Sequence, residues 1–420
     1  MRVSVIIPVR GQWKLTSACL RSLAECAPGP DGPELEVLLV DNASDDSTPA
    51  ECPDLGRALF GGNFRYLRQE VNLNFAPACN LGARAASGEL LFFLNNDTVL
   101  TPGWLPPLLR ALEGPAGVSV AAPLLLYPKF GGLADRVQHL GTVFDSGLYP
   151  RHLYLGFPAG HPLCLKERRF QALTGAALLL RRELFLEAGL FDEVFINGGE
   201  DVDLGLRLSG KGHILAVVPQ ARVYHLSGST PGRYLHEAHN AEELKKKIMG
   251  KAIPDLHLFW MADGYVPALT SNLSLYAELP PRRRNLLLRH LARLDTAEEV
   301  SALLEREPLL HEAYIRLAAL RLEAGNPAGA VETLYLALSL RPGREELRRL
   351  FEAVGEVRRA GMRVEGIAEE PEEDKWPEDK ELCVIAASME DFFRRLNQPV
   401  MRELYAGWLA RRKEGSGALP

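Results

Sequence analysis

The sequence predicts an α/β domain with a mostly parallel sheet flanked by helices, followed by an all-α region. Two observations predict this fold class. In the first 100 residues, continuous apolar runs of strand length alternate with stretches of helical spacing, as in β-α-β units. From about residue 276 the composition changes to Leu, Arg, Ala and Glu at helical intervals. With 420 residues, the chain is expected to form two or three domains.

Four buried strands are predicted in the N-terminal region. The β-branched run "VSVIIPV" is typical of a strand buried on both faces, and "ELEVLLV", "FRYLRQ" and "ELLFFL" follow it, with helices between. The second strand ends at Asp41, and the fourth is followed by Asn95, Asn96 and Asp97. Because ligands bind beyond the carboxyl ends of strands in such sheets, we expect these side chains to face a common crevice.

The middle region, about 120–225, is less regular. It contains a loop-rich segment, then an apolar stretch, and then a loop, a helix opened by Glu200 and Asp201, a turn and a strand that ends at His225. The loop-rich segment carries His139, His152 and His161. Their spacings of 13 and 9 residues fit no compact ligand motif, so the sequence favours ordinary packing over a second metal site.

The C-terminal region is predicted to be helical. Residues 311–344 fit one tetratricopeptide-type repeat, with Arg321 where an aromatic residue is usual, and Pro399 is expected to break a later helix. The predicted organisation is an α/β domain at 1–250, a linker at 251–275, a repeat-like helical domain at 276–362, an acidic linker at 363–381, C-terminal helices at 382–413 and a disordered tail at 414–420.

Composition excludes several classes of function. The formal net charge of -6 provides no basic footprint for nucleic acid. The six cysteines form no CxxC pairs and indicate reduced thiols. Neither a signal sequence nor an apolar stretch long enough to span a membrane is evident, so we expect a cytoplasmic protein. Peripheral association with the inner face of the membrane stays open.

Four motifs, in this order, resemble the inverting family 2 glycosyltransferases of the GT-A fold. They are "VSVIIPVRGQ", "VDNASDDST", "NLNFAPACNLGARAASGELLFFLNNDT" and "TGAALLLRRELFLEAGLFDEVFINGGEDVDLGLRL…VYH", and they cover roughly residues 1–230. Within the family, "LNNDT" resembles the bacterial rhamnosyltransferase-like branch, in which Asn-Asn-Asp replaces the usual Asp-x-Asp. The resemblance implies a nucleotide-diphosphate sugar as donor, with dTDP-rhamnose or a UDP-hexose as candidates. It implies a glycan, lipid-linked or protein acceptor, in cell-surface polysaccharide biosynthesis.

The resemblance also implies a divalent metal, Mn²⁺ or Mg²⁺, that neutralises the leaving diphosphate. Asp97 occupies the Asp-x-Asp-like position, and His225 is implied as the second protein ligand. Asn95 is neutral where the family often has Asp, so it contributes an oxygen without charge, and metal binding is expected to be weak until the diphosphate arrives. The alternative for Asn95 is a turn-capping role.

The donor site implied by the resemblance lies around the ends of the first strands. Three of the implied donor residues also have a structural alternative to donor contact. Asp41 could be a helix N-cap, Arg10 a solvated loop cation, and Gly175 a tight packing position. Asn74 stands where the family often has Gly, and Asn tolerates the left-handed conformation. The residues expected at the donor are Pro8, Arg10, Asp41, Asn74, Asn80, Asn96 and Gly175.

The Glu-Asp pair that opens a helix is the implied catalytic centre. Inverting transfer needs a base that takes the proton of the acceptor hydroxyl, and the motif suggests Asp201, with Glu200 touching the acceptor. The loop-rich segment is expected to shape the acceptor pocket. A helix N-cap is the alternative for Asp201. Asp203, four residues before Arg207, is interpreted as half of an ion pair.

Two other functions remain as alternatives. One is a catalytically inactive GT-A domain that acts with the helical repeats as a binding scaffold, and neutral Asn95 favours it. The other is a nucleotidyltransferase, which the single glycine of "VRGQWKLTS" disfavours. The helical region is expected to bind a protein partner, to mediate self-association or to be a structural appendage.

Overall fold

A computed structural model describes residues 1–129, 133–226, 233–359 and 379–416. The chain divides into two compact units. The N-terminal unit comprises Met1–Phe144 and Leu148–Ile253, and the C-terminal unit comprises Asp145–Gly147 and Pro254–Pro420.

The N-terminal unit is built on one large sheet. Across the sheet the strands run in the order β10-β12-β6-β11-β4-β1-β2-β3, with β5 paired to β12 and β7 paired to β6. A separate hairpin is formed by β8 and β9. The strands of this unit are β1 Arg2–Val9, β2 Glu34–Asp41, β3 Phe64–Arg68, β4 Leu90–Leu94, β5 Thr98–Leu100, β6 Val118–Leu126, β7 Val137–His139, β8 Thr142–Phe144, β9 Pro150–His152, β10 Arg168–Phe170, β11 Ala177–Arg181 and β12 Ile214–His225.

The sheet is mixed. Strands β3, β2, β1 and β4 are parallel, as the alternation of strands and helices predicts, while β11 lies antiparallel between β4 and β6. The four predicted strands fall where the apolar runs place them, and β1, β2 and β4 are almost wholly buried. Burial on both faces explains why their sequences are continuous apolar runs rather than alternating ones.

Helices flank this sheet and close its core. Trp104 stacks on Phe92 with ring centroids 4.6 Å apart, and Phe93 packs against Phe185 and Phe191. Both faces of β4 are thereby covered by aromatic rings. The helices of the unit are α1 Trp13–Glu25, α2 Thr48–Phe60, α3 Phe75–Ala85, α4 Leu105–Glu113, α5 Arg182–Glu187, α6 Glu200–Ser209 and α7 Glu237–Ile248.

The C-terminal unit is mainly helical and begins with a short hairpin, β13 Val266–Leu269 with β14 Leu275–Glu278. The structure corrects the predicted linker at 251–275, because this segment holds a helix and most of that hairpin. Most of the predicted acidic linker and the last four residues of the predicted tail lie outside the described residues. The helices are α8 Leu256–Ala262, α9 Pro281–Leu291, α10 Ala297–Arg306, α11 His311–Glu323, α12 Pro327–Leu340, α13 Arg344–Arg359, α14 Asp379–Arg395 and α15 Pro399–Ser416.

The repeat-like segment forms the antiparallel pair α11 and α12. Ala318 of α11 and Ala330 and Leu334 of α12 belong to one hydrophobic core. Arg321, which replaces the usual aromatic residue, donates hydrogen bonds to the Gly329 carbonyl (2.8 Å) and to the Thr333 hydroxyl (2.5 Å). Polar contacts between the two helices therefore take the place of an aromatic contact at this position. No helix in the described part of the chain is long and apolar enough to cross a membrane.

His257, in the first turn of α8, gives the C-terminal unit a pH-dependent stability. Its ring is 1% exposed and faces Phe393 edge-on, and burial lowers the pKa of His257 to about 4. His257 of the unfolded chain therefore binds a proton below about pH 6.5, whereas His257 of the folded unit stays neutral down to about pH 4. The free energy of unfolding therefore falls as the pH drops from about 6.5 to about 4. At about 1.4 kcal/mol per pH unit, the loss reaches about 3 kcal/mol.

The matching experiment compares unfolding free energies of the full-length wild type and His257→Gln between pH 7 and pH 4. Glutamine does not titrate in this range. We therefore expect the unfolding free energy of the wild type to fall on acidification relative to that of His257→Gln. Parallel pH profiles for the two proteins would contradict this account.

Candidate active site

The carboxyl ends of the parallel strands lie side by side at one edge of the sheet. In the register of these strands, Asp41 of β2 is aligned with Val9 of β1 and with Arg68 of β3. At the end of β12, His225 pairs with Thr98 of β5, in the strand that follows the β4–β5 turn. This is the edge at which the sequence predicts a crevice.

The turn between β4 and β5 is fixed at both ends. The backbone N–H of Asn95 donates to the Ala176 carbonyl (2.9 Å), and the Thr98 hydroxyl donates to the carbonyl of Asn95 (2.7 Å). The amide of Asn96 donates to the Thr16 hydroxyl on α1 (2.9 Å). The side chain of Asn96 is therefore engaged by α1, and Asn95 and Asp97 carry the polar atoms that meet His225.

The side chains of Asp97 and His225 meet at this turn. The Nε2 atom of His225 lies 3.2 Å from Oδ1 of Asp97 and 3.4 Å from Nδ2 of Asn95. The backbone N–H of Leu226 donates to the Asp97 carbonyl (2.9 Å), which fixes the two chain segments together. On the other side of the ring, Nδ1 lies 2.6 Å from Oε1 of Gln138. All three predicted metal ligands are thus brought together.

This donor set fits a divalent cation. A carboxylate oxygen and an imidazole nitrogen face one another at 3.2 Å, so two electron-pair donors converge on one point. Within the described ranges, no group of three or more His, Cys, Asp or Glu side chains is placed to hold a metal. Most coordination positions would therefore be filled by Asn95, water and the ligand itself, as expected for a cation that arrives with a diphosphate.

Asp41 is more enclosed than the sequence suggests. Its side chain is fully buried, with Oδ1 accepting from the Ser44 backbone N–H (2.8 Å) and Oδ2 accepting from the Tyr66 hydroxyl and from Arg68 (2.8 Å). Burial, followed by the bond to Asp41, raises the pKa of Tyr66. Arg68 is half-exposed, and its ion pair with Asp41 holds the guanidinium at the carboxyl end of the sheet.

The other predicted donor residues occupy different positions. Pro8 is buried within β1 and Arg10 is exposed just beyond it. Asn74 has φ 68° and ψ -176°, a conformation that glycine adopts readily, and its carbonyl accepts from the amide of Asn42 (3.2 Å). Asn80 is buried and bonds both backbone groups of Phe191, so its side chain anchors α3, and its place near the donor stays a prediction.

The N-terminus of α6 lies against the entry to β11. Asp201 accepts from the backbone N–H of Gly175 (2.8 Å), one residue before Ala176, whose carbonyl accepts from the backbone of Asn95. A Cβ added at Gly175 would lie 3.4 Å from the Cβ of Asp201, so glycine permits this close approach. Asp201 and the Asn95–Asp97 turn are thereby linked through two consecutive residues.

The neighbouring acidic residues have structural contacts. Glu200 is buried, and its Oε2 accepts from the backbone N–H of Gly198 (2.8 Å). Asp203 forms the expected ion pair with Arg207, with Nε and Oδ2 2.8 Å apart. Of the three carboxylates in the first turn of α6, Asp201 is the most exposed.

The three histidines of the loop-rich segment do not converge. The rings of His139 and His152 meet edge-on with centroids 4.7 Å apart, whereas His161 caps a short 3₁₀ turn by accepting from Leu163. The buried ring of His139 accepts from the Thr174 N–H (3.3 Å). Burial, and then the charges of His152 and His225, hold the pKa of His139 well below its usual range.

Several residues at the site were missed by sequence reasoning. Tyr66 and Arg68 could have been found, because they lie on the strand next to the one that ends at Asp41. The side chain of Asn42, just after β2, donates to the Asn74 carbonyl and so connects that loop to the end of β2. The one sequence feature that points to Asn42 is its position next to Asp41. Gln138 lies in an irregular segment 87 residues from His225, and no sequence signal links the two.

Comparisons with known proteins show which sequences and structures this chain resembles. Residues 4–153 match the family model described as Glycosyl transferase family 2. The O-antigen biosynthesis protein RfbC of Myxococcus xanthus is 34% identical over 230 residues, which are 53% of this chain and 17% of RfbC. An N-acetylglucosaminyl-diphospho-decaprenol L-rhamnosyltransferase of Mycobacterium tuberculosis is 29% identical over 217 residues, 47% of this chain and 69% of that protein.

Among solved structures, the mannosyltransferase PcManGT from Pyrobaculum calidifontis, in complex with GDP-Man and Mn²⁺, is 15% identical. The similarity covers 97% of this chain and 85% of that chain, with a TM-score of 0.42. The family match and the observed sheet with its flanking helices confirm the GT-A fold predicted for the N-terminal unit. Residues 4–153 thus match glycosyl transferase family 2, the family that the sequence motifs resemble.

Proposed function

We propose that this chain is an inverting glycosyltransferase that moves a sugar from a nucleotide-diphosphate donor to an acceptor hydroxyl. The proposal rests on the convergence of Asn95, Asp97 and His225 at one turn. Asp201 is linked to this turn by hydrogen bonds, because it accepts from the Gly175 N–H and the next residue, Ala176, accepts from the Asn95 N–H. The reaction needs a site for a leaving diphosphate beside a carboxylate base, and this arrangement supports both.

In the proposed mechanism, the carboxyl edge of the sheet binds the donor. Asp97, His225 and the oxygen of Asn95 would hold a divalent metal, Mn²⁺ or Mg²⁺, which when bound neutralises charge on the leaving diphosphate. Arg68, fixed by Asp41, provides hydrogen-bond donors for the nucleoside or its phosphates. Arg10, Asn74 and Asn96, on the loops that follow the strands, and Pro8, near the end of β1, are proposed to border the donor.

Asp201 is proposed to remove the proton from the acceptor hydroxyl as it attacks the anomeric carbon from the face opposite the diphosphate. Its carboxylate is held by the backbone N–H groups of Gly175 and Val202, both at 2.8 Å. Such bonds orient a base without consuming all of its lone pairs. Glu200, which is buried beside it, supports the loop at Gly198 and borders the acceptor side.

The names of the relatives narrow the substrate classes. The name of the L-rhamnosyltransferase supports dTDP-rhamnose as the donor and a lipid-linked sugar diphosphate as the acceptor. The name of the O-antigen biosynthesis protein supports a glycan or lipid-linked acceptor and does not bear on the donor. A lipid-linked acceptor would bring a cytoplasmic enzyme to the inner face of the membrane. The helical unit is proposed to bind a partner or to mediate self-association.

The first test is thermal unfolding of the full chain with UDP, dTDP, GDP and CDP, each with and without Mn²⁺. A ligand at 100 times its dissociation constant stabilises the folded state by about 2.7 kcal/mol. We expect one nucleotide to stabilise the protein strongly with Mn²⁺ and weakly without it, because the protein supplies one carboxylate to the metal and the diphosphate would supply the remaining charge. Absence of any stabilisation by all four nucleotides would contradict the proposal and favour the inactive scaffold.

A further inference from the structure

Gln138, at the middle of β7, holds both polar ends of His225. Its Nε2 donates to the His225 carbonyl (2.8 Å), and its Oε1 lies 2.6 Å from Nδ1 of the same residue. The side chain of Gln138 is buried, and His225 is 5% exposed, so water does not compete for these bonds. One amide therefore binds the backbone and the ring of one histidine.

These two bonds determine the orientation of the amide. A backbone carbonyl can only accept a hydrogen bond, so the NH₂ end of Gln138 must face the His225 carbonyl. The amide oxygen is then the atom at Nδ1 and can only accept from it. Nδ1 must therefore carry the proton.

The tautomer of His225 decides what its other nitrogen can do. With the proton on Nδ1, neutral imidazole has its lone pair on Nε2, which points at Oδ1 of Asp97 from 3.2 Å. In the other tautomer, Nε2–H would donate to Asp97 and close the site to a metal. The backbone of His225 is restrained as well, because Gln138 also donates to the His225 carbonyl.

We propose that Gln138 is a positioning residue that fixes His225 in the Nδ1–H tautomer and thereby keeps the Nε2 lone pair directed at the cation site. The inference rests on the metal role proposed for Asp97 and His225. Partners of metal-binding histidines that act in this way change metal affinity by about 10–100-fold when they are removed.

The chain offers a matched control for this residue. The amide of Gln171 makes the same pair of bonds to one backbone unit, donating to the Ile253 carbonyl (2.7 Å) and accepting from the Ile253 N–H (2.9 Å). Gln138→Met and Gln171→Met each remove two amide bonds with little change in volume. Both changes cost packing and hydrogen bonds, but only the first touches His225.

The experiment has two readouts on the full chain. With ¹⁵N-labelled histidine at pH 8 and no metal, the ring signals report which nitrogen of His225 carries the proton, and His225→Asn identifies its signals. Mn²⁺ affinity is measured by electron paramagnetic resonance with a saturating nucleoside diphosphate. We expect the Nδ1–H tautomer in the wild type and in Gln171→Met, and a mixture with weaker Mn²⁺ binding, by about 10–100-fold, in Gln138→Met.

The outcomes separate this inference from the proposed function. An Nε2–H tautomer in the wild type overturns the inference, even if Gln138→Met does not fold. So does an unchanged Mn²⁺ affinity in a folded Gln138→Met. A wild type with the Nδ1–H tautomer that binds no Mn²⁺ with any nucleoside diphosphate overturns the metal role in the proposed function, and with it the purpose assigned to Gln138.

Discussion

Replacing Asp201 by Asn is expected to lower the rate of sugar transfer by about 10²–10⁴-fold, the usual contribution of a positioned general base. Asparagine has the same shape, and its one amide oxygen can still accept from the Gly175 N–H, while the bond from the Val202 N–H is lost. The first turn of α6 should therefore remain in place with a small loss of stability. An amide cannot take the acceptor's proton. Nucleotide binding depends on other residues and should stay within a few-fold of the wild type.

The rate is measured as release of nucleoside diphosphate from the donor that thermal unfolding identifies, with a lipid-linked sugar diphosphate as the first acceptor. Asp203→Asn, two residues along the same helix, is the control. It breaks the ion pair with Arg207 and should lower thermal stability, while the rate per folded molecule stays close to that of the wild type. If Asp201→Asn turned over at a near wild-type rate, Asp201 would not be the base.

The strands that carry the site could be predicted because their signal is local. A strand buried on both faces must be apolar throughout, so the change from Leu94 to Asn95 indicates both the end of β4 and its exposure at the sheet edge. The same reasoning placed Asp41 and His225 at strand ends. Periodicity and polarity therefore located the edge of the sheet that carries these side chains without any knowledge of contacts.

The partners of these residues could not be predicted in the same way. Gln138 reaches His225 from a short strand in a segment with little periodicity, and the pairing of β7 with β6 that places it is a tertiary contact. For Asp41 the carboxylate was identified, but not its burial under Tyr66 and Arg68. Hydrogen bonds between distant side chains leave no local pattern, whereas strand ends do.

The predicted linker at 251–275 failed for a different reason. The segment contains two prolines, so its composition resembles that of a loop. Its backbone also has positive φ at Gly264 (82°) and Leu273 (63°), as turns often do. Each of its elements is shorter than eight residues, too short for periodicity to appear. Tertiary packing overrides local preference here, since Trp260 is buried and the Thr270 carbonyl accepts from Trp408.

The neutral residue Asn95 determines how the metal site should respond to its ligand. Among the described contacts, Asp97 is the one carboxylate within 3.5 Å of His225. The protein would therefore supply a single negative charge to a divalent ion. The diphosphate would supply the remaining charge, so metal and nucleotide should each strengthen the binding of the other by the same factor. A scaffold without catalytic activity has no need for such coupling.

Replacing Asp97 by Asn is therefore expected to remove that single charge and to abolish the Mn²⁺-dependent part of nucleotide stabilisation. Transfer should fall by about 10²–10³-fold, as when a group that stabilises developing charge is lost. The backbone bond from Leu226 to the carbonyl of residue 97 does not involve the side chain, so the β5–β12 pairing should persist. Thermal unfolding with and without Mn²⁺ and the rate of diphosphate release are the two measurements.

Asp54→Asn makes the same change of charge at an exposed ion pair with Arg57 on α2 and should leave both quantities unchanged. Nucleotide alone should stabilise Asp97→Asn as weakly as it stabilises the metal-free wild type, because Arg68 and the loops at the strand ends are intact. Full Mn²⁺-dependent stabilisation of Asp97→Asn would mean that the cation is held elsewhere, and the convergence of Asp97 and His225 would then be a structural contact.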